Sequence, residues 1–106
     1  MNSVEFYKCL ADETRLVCLL LVHDIGELCV CELTSALNAS QPKISRHLVR
    51  LREFDLLVGE RRGQWVYYQI NPELESWMSE TLTLALRANR SILVEYQRRL
   101  ELAMCK

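Results

Sequence analysis

Two cysteines separated by one residue, Cys29-Val30-Cys31, carry the most distinctive chemistry in this chain. Thiolates are soft donors, and soft three-coordinate ions such as arsenite or antimonite prefer them to oxygen or nitrogen ligands. The spacing sets a condition on joint binding. Residues two apart on a helix of about 3.6 residues per turn point about 200° away from each other. Two apart on an extended segment, they share a side. Coordination of one ion by Cys29 and Cys31 therefore needs an unwound first turn, or a Cys29 that lies in the segment before the helix. A helix N-terminus lowers a thiol pKa. Glu27 and Glu32 oppose that effect, so no strongly acidic thiol is expected.

A second set of side chains suits nucleic acid. In Ser40–Leu51, SQPKISRHLVRL, the residues Ile44, Leu48 and Leu51 share one helical face. Gln41, Lys43, Ser45, Arg46 and Arg50 then reach outward. Arg can pair with guanine edges, Gln with adenine and Ser with either, while Lys43 and Arg50 suit phosphates, which fix register without reading sequence. His47 sits nearer the core edge, where a structural hydrogen bond and a DNA contact are both open to it. Arg61 and Arg62 form a second basic site, with Gln64 beside them for a polar backbone contact.

These groups need elements to hold them. Residues 4–10 read as a short helix with Val4, Tyr7 and Leu10 on one side, and 13–23 as a strongly buried one. Gly26 marks a turn. Val30–Leu37 reads as a short helix ended by Asn38, which suits the left-handed conformation. Ser40 is an N-cap for the next helix, which runs to about Phe54 and tolerates Pro42 in its first turn. Two helices joined by a tight polar turn are a helix-turn-helix, its second helix the reader. Leu56–Glu60 and Gln64–Ile70 favour strands around Arg61-Arg62-Gly63, a β-hairpin with a basic tip. From Asn71-Pro72 a helix is expected to run to about 104, with a stripe of Leu74, Met78, Leu82, Ala85, Ile92, Tyr96, Leu100 and Ala103. The polar patch Arg87–Ser91 is a place for it to break or bend. The expected fold is α+β, mostly helical with a small β-hairpin. It is a single winged helix-turn-helix domain over 1–106, with the helix-turn-helix at 30–54, the wing at 56–70 and dimerisation through the terminal helices.

Charge distribution agrees with a DNA-binding face. The net charge of the 106 residues is −1, yet residues 41–64 carry a net +3 and residues 1–40 a net −4. A local basic footprint matters more than the total. Five cysteines, an odd number, give no regular disulfide framework. The apolar run LVCLLLV at 16–22 is too short to cross a bilayer and misplaced for a signal peptide. These features point to a cytosolic protein with free thiols and no membrane partner.

The segments ADETRL (11–16), ELCVCEL (27–33), SQPKISRHLVRL (40–51) and GQWVYYQI (63–70) together resemble the arsenical-resistance repressor family, ArsR, over roughly residues 5–75. The resemblance implies a homodimeric winged-helix repressor that binds an inverted repeat of double-stranded operator DNA and leaves it when arsenite or antimonite binds as inducer. It also implies DNA contacts from the positions of Gln41, Ser45 and Arg46. One departure matters. The family's arsenite motif has a third cysteine three residues after the second, and Thr34 stands there. A third ligand would have to be Cys9, Cys18, Cys105, a cellular thiol or water, and Cys9 and Cys18 read better as packing residues.

Other functions fit less well. A thiol-based redox or sulfide sensor would use the same pair, although cysteines two apart form a strained ring. A thiol enzyme lacks support, since there is no C-x-x-C, glycine-rich phosphate loop or Cys/His catalytic arrangement, and no enzymatic cofactor is expected. Zinc favours four Cys or His ligands, and only His23 and His47 are present. A winged helix serving protein interaction would bind DNA weakly or without salt dependence.

Overall fold

A computed structural model describes residues 1–104, so Cys105, one of the candidate third ligands, lies outside the described residues. The elements run α1 (Ser3–Leu10), α2 (Glu13–Ile25), β1 (Leu28–Cys29), α3 (Val30–Leu37), α4 (Gln41–Glu53), β2 (Leu57–Arg62), β3 (Trp65–Ile70), α5 (Ser76–Ala88) and α6 (Arg90–Met104). This is a winged helix with a three-stranded antiparallel sheet of order β1-β3-β2.

The core forms around α2. Every residue from Val17 to Val22 is buried, as expected of a helix covered on all sides. Its N-cap Asp12 accepts from the Arg15 amide at 3.0 Å. It ends at Gly26, whose φ of 106° suits a residue without a Cβ and turns the chain into β1. The α3–α4 turn forms from local signals. Asn38 is left-handed, with φ 51° and ψ 46°. The Ser40 hydroxyl accepts from the Lys43 amide, and Ile44, Leu48 and Leu51 seat α4 on the core. The wing closes through Gly63-Gln64, and Gly63 has φ +64°, the hand that a two-residue hairpin turn favours.

Four expectations need correction. The helix expected over 72–104 is interrupted within the polar patch Arg87–Ser91, as the sequence allowed, at Asn89, whose side chain donates to the Ala85 carbonyl at 2.7 Å. It also starts later, because the Asn71 carboxamide accepts from the Glu73 amide and holds a turn around Pro72. In α1 the buried residues are Phe6 and Cys9, while Val4 and Tyr7 face outward. On α6, Leu93 and Leu100 are buried and Ile92 is 63% exposed. Arg61 and Arg62 lie at the end of β2 rather than in the turn itself.

Candidate metalloid and nucleic-acid site

The thiol pair sits where two elements meet. Cys29 is the second residue of β1 and the N-cap of α3, with extended backbone at φ −93° and ψ 166°. Cys31 lies in the first turn of α3. Of the two arrangements that the spacing allows, the structure has Cys29 before the helix, and the helix stays intact. The two Sγ atoms are 3.1 Å apart as free thiols, Cys29 buried and Cys31 exposed. Glu32 accepts from the Cys29 amide at 2.9 Å and pins the start of α3.

Burial, then the hydrogen bond with Cys31, pushes the Cys29 thiol up to about 12. It is therefore a protonated thiol at neutral pH. Thr34 does not face this pair as a donor, since its hydroxyl donates to the Val30 carbonyl at 2.8 Å. Cys18 is fully buried in α2, and burial pushes its thiol up to about 12. Cys9 is also buried, and its pKa is raised chiefly by that burial. Among the described residues, no group of three or more His, Cys, Asp or Glu side chains converges to hold a metal.

The outward face of α4 carries Gln41, Lys43, Arg46 and Arg50 exposed, with Ser45 and His47 half-buried. An open groove of about 660 Å³ runs along it, lined by Arg15, Ser45, Arg46, His47, Val49, Arg50 and Glu53. Among the described residues, Lys43, Arg46 and Arg50 have no ion pair. Arg50 instead lies 5.5 Å from the Phe54 ring centroid.

Arg15 anchors this helix. Its Nε donates to the Cys9 carbonyl at 3.1 Å and its Nη2 to the Lys8 carbonyl at 3.2 Å, while Nη1 approaches His47 Nδ1 at 3.5 Å. A guanidinium has donors only, so the contact suits a neutral His47 that accepts at Nδ1. Burial lowers the His47 pKa in the same direction.

In the wing, Arg61, Arg62 and Gln64 are all exposed. Arg61 Nε donates to the Gly63 carbonyl at 3.2 Å. Arg62 pairs with Glu27 at 2.5 Å and with Glu60 at 2.7 Å, and lies 4.8 Å from the Tyr67 centroid. The sequence reading missed two features here. The strand β1 joins the thiol segment to the wing through the register Leu28↔Tyr68 and Cys29↔Tyr67. Glu27 appeared only as a charge near the thiols, and no local pattern signals its partner 35 residues away.

The family model described as "Bacterial regulatory protein, arsR family" matches residues 12–57. The arsenic resistance transcriptional regulator ArsR2 of Pseudomonas putida is 54% identical over 97 residues, covering 92% of this chain and 84% of that protein. The arsenical resistance operon repressor of Escherichia coli is 47% identical over 87 residues, covering 82% of the chain and 74% of that protein. Among solved structures, HlyU from Vibrio cholerae matches with TM-score 0.73 and 32% identity, covering 81% of this chain and 89% of that one. The antimony-specific transcriptional repressor AntR matches with TM-score 0.70 and 29% identity, covering 84% and 78%.

Proposed function

The chain belongs to the arsR family of bacterial regulatory proteins, and we propose that it is a repressor released from operator DNA when arsenite or antimonite binds Cys29 and Cys31. The observation that carries this reading is the 3.1 Å Sγ–Sγ separation, made possible because Cys29 lies outside α3. Two bonds of about 2.3 Å meeting near a right angle put their sulfurs about 3.3 Å apart, while tetrahedral angles put them about 3.8 Å apart. The pair therefore fits a pyramidal trivalent metalloid better than a tetrahedral zinc.

Thiol exchange on a neutral metalloid suits this pair. Neutral arsenous acid exchanges two hydroxyls for two thiols, and each S–H proton leaves with a hydroxyl as water. Two As–O bonds break, two As–S bonds form, and no electron is transferred. The third hydroxyl stays on arsenic, which matches a Thr34 hydroxyl already committed to a backbone carbonyl. The ion would sit at the junction of β1 and the first turn of α3, where replacing the thiol–thiol contact by two covalent bonds alters how the two elements are held. That change passes through the Asn38 turn to α4, whose Gln41, Ser45, Arg46 and His47 serve as base-edge contacts and Lys43 and Arg50 as phosphate contacts. Arg61, Arg62 and Gln64 add the wing's contacts.

The reading includes a two-fold homodimer on an inverted repeat. The outward apolar residues Val4 and Tyr7 of α1, Leu84 of α5 and Ile92, Val94 and Leu102 of α6 supply a face for a second copy. Such a dimer sets its reading helices about 34–36 Å apart, one turn of DNA. Among the described residues, no helix is long and apolar enough to cross a membrane, which agrees with a protein acting on DNA in the cytoplasm.

The test is DNA release by the wild-type chain, titrated in parallel with arsenite, antimonite, zinc and peroxide. Release by arsenite or antimonite at concentrations where zinc and peroxide do nothing is expected. Release by peroxide alone would instead assign the pair to redox sensing.

A further inference from the structure

Arg62 has the densest set of contacts in the wing. Its Nη1 and Nη2 donate to the two Glu27 oxygens at 2.5 and 2.7 Å, and its Nε donates to Glu60 at 2.7 Å. A bidentate carboxylate occupies the same guanidinium fork that a phosphate would use. Glu27 stands two residues before Cys29, and Cys29 is in register with Tyr67, the residue whose ring lies under Arg62. Glu27, Arg62, Tyr67 and Cys29 therefore close a ring of contacts between the thiol segment and the wing.

We propose that Glu27 competes with DNA for the wing, its carboxylate occupying the Arg62 fork over Tyr67 until a DNA phosphate takes its place. This rests on the DNA-binding reading above and deepens it. The exchange is physically reasonable because Arg62 is solvent-exposed and Glu27 only half-buried. An exposed ion pair is weak against water, while a duplex presents about one charge per 1.7 Å of axis. Arg62 keeps its stem, its Tyr67 stack and its Glu60 partner on the same strand, so the fork can turn outward without unpairing β2 from β3. The exchange also gives the thiol pair a second route to DNA, since any shift of β1 moves Glu27 relative to Arg62.

The sign of one substitution separates this role from simple bracing of the hairpin. Duplexes selected from a random pool for binding to the wild-type chain serve as probes, with affinity measured by anisotropy across a salt series. Glu27→Gln is expected to tighten binding by about two- to fivefold, the worth of an exposed ion pair. In an Arg62→Gln background the same change is expected to do almost nothing. Arg62→Gln alone is expected to flatten the log–log salt slope by about 1.8, one phosphate contact per protomer of the dimer. Weakened or unchanged binding in Glu27→Gln, or equal tightening with and without Arg62, overturns the proposal. A wild-type chain whose binding shows no salt dependence overturns the DNA-binding reading, and this proposal with it.

Discussion

The two regions offered to DNA are built on opposite plans. The reading helix α4 holds Lys43, Arg46 and Arg50 clear of intramolecular carboxylates among the described residues, on a helix capped by Ser40 and seated by Ile44, Leu48 and Leu51. The wing holds Arg62 in a fork with Glu27, against Glu60 and over Tyr67. In the proposed reading, one region is free to meet DNA, while the other must first give up an internal partner. The two regions also join the thiol segment differently. Cys29 is paired directly into the wing sheet, while α4 follows α3 through the Asn38 turn and packs on α2, α3 and β2.

Substitutions that strike each region separately sharpen this contrast. The largest effect is expected from Arg46→Ala, which removes a base-edge contact worth about 1–3 kcal/mol. Affinity for selected DNA should fall by about 5- to 150-fold, with discrimination against mismatched sites relaxed in competition binding. Lys43→Gln is expected to weaken all sequences alike and to lower the salt slope by about 1.8, one contact per protomer. Arg62→Gln should flatten the slope as much as Lys43→Gln but cost less affinity at any one salt concentration, because the wild-type wing already spends part of that contact on displacing Glu27. Equal losses from the two would erase the distinction between a ready and a held region.

The smallest effect on DNA affinity, none at neutral pH, accompanies a change in stability at high pH. Cys18 and Cys29 have folded-state pKa values raised to about 12 from 9.0, chiefly by burial. Their contribution to stability is complete below pH 9.0 and is lost as pH rises toward 12, because the unfolded chain gives up protons that the folded chain keeps. Melting temperatures under reducing conditions should fall over that window. Cys18→Ala should make the fall shallower while leaving DNA affinity at neutral pH unchanged.

Local signals made much of this legible in the sequence. Asn38 and Ser40 fix the α3–α4 turn through their own backbone and side-chain chemistry, and the bounds of α3 follow from them. The hairpin was legible from its β-favouring runs around Gly63. What stayed hidden depends on distant partners. A two-residue strand has no periodicity, and β1 exists only because β3 lies beside it. In α1 the pairs Val4/Tyr7 and Phe6/Cys9 have the same helical spacing, so sequence alone does not choose the buried one. The choice falls on Phe6 and Cys9, with the Phe6 ring 5.1 Å from that of Trp77 on α5. The break at Asn89 is fixed in part by its side-chain bond to Ala85. For the site, the spacing of Cys29 and Cys31 framed the right alternatives, and the backbone at Cys29 chose between them.

The most direct measurement is the arsenite concentration that halves DNA occupancy, compared between the wild-type chain and Cys31→Ser. Cys31 is exposed and is not among the side chains proposed to contact DNA, so the variant is expected to bind DNA within about threefold of wild type, a change under 1 kcal/mol. It is expected to stay bound at arsenite concentrations that release the wild-type chain completely. Release of Cys31→Ser at the wild-type concentration would contradict a sensor built on this pair of thiols.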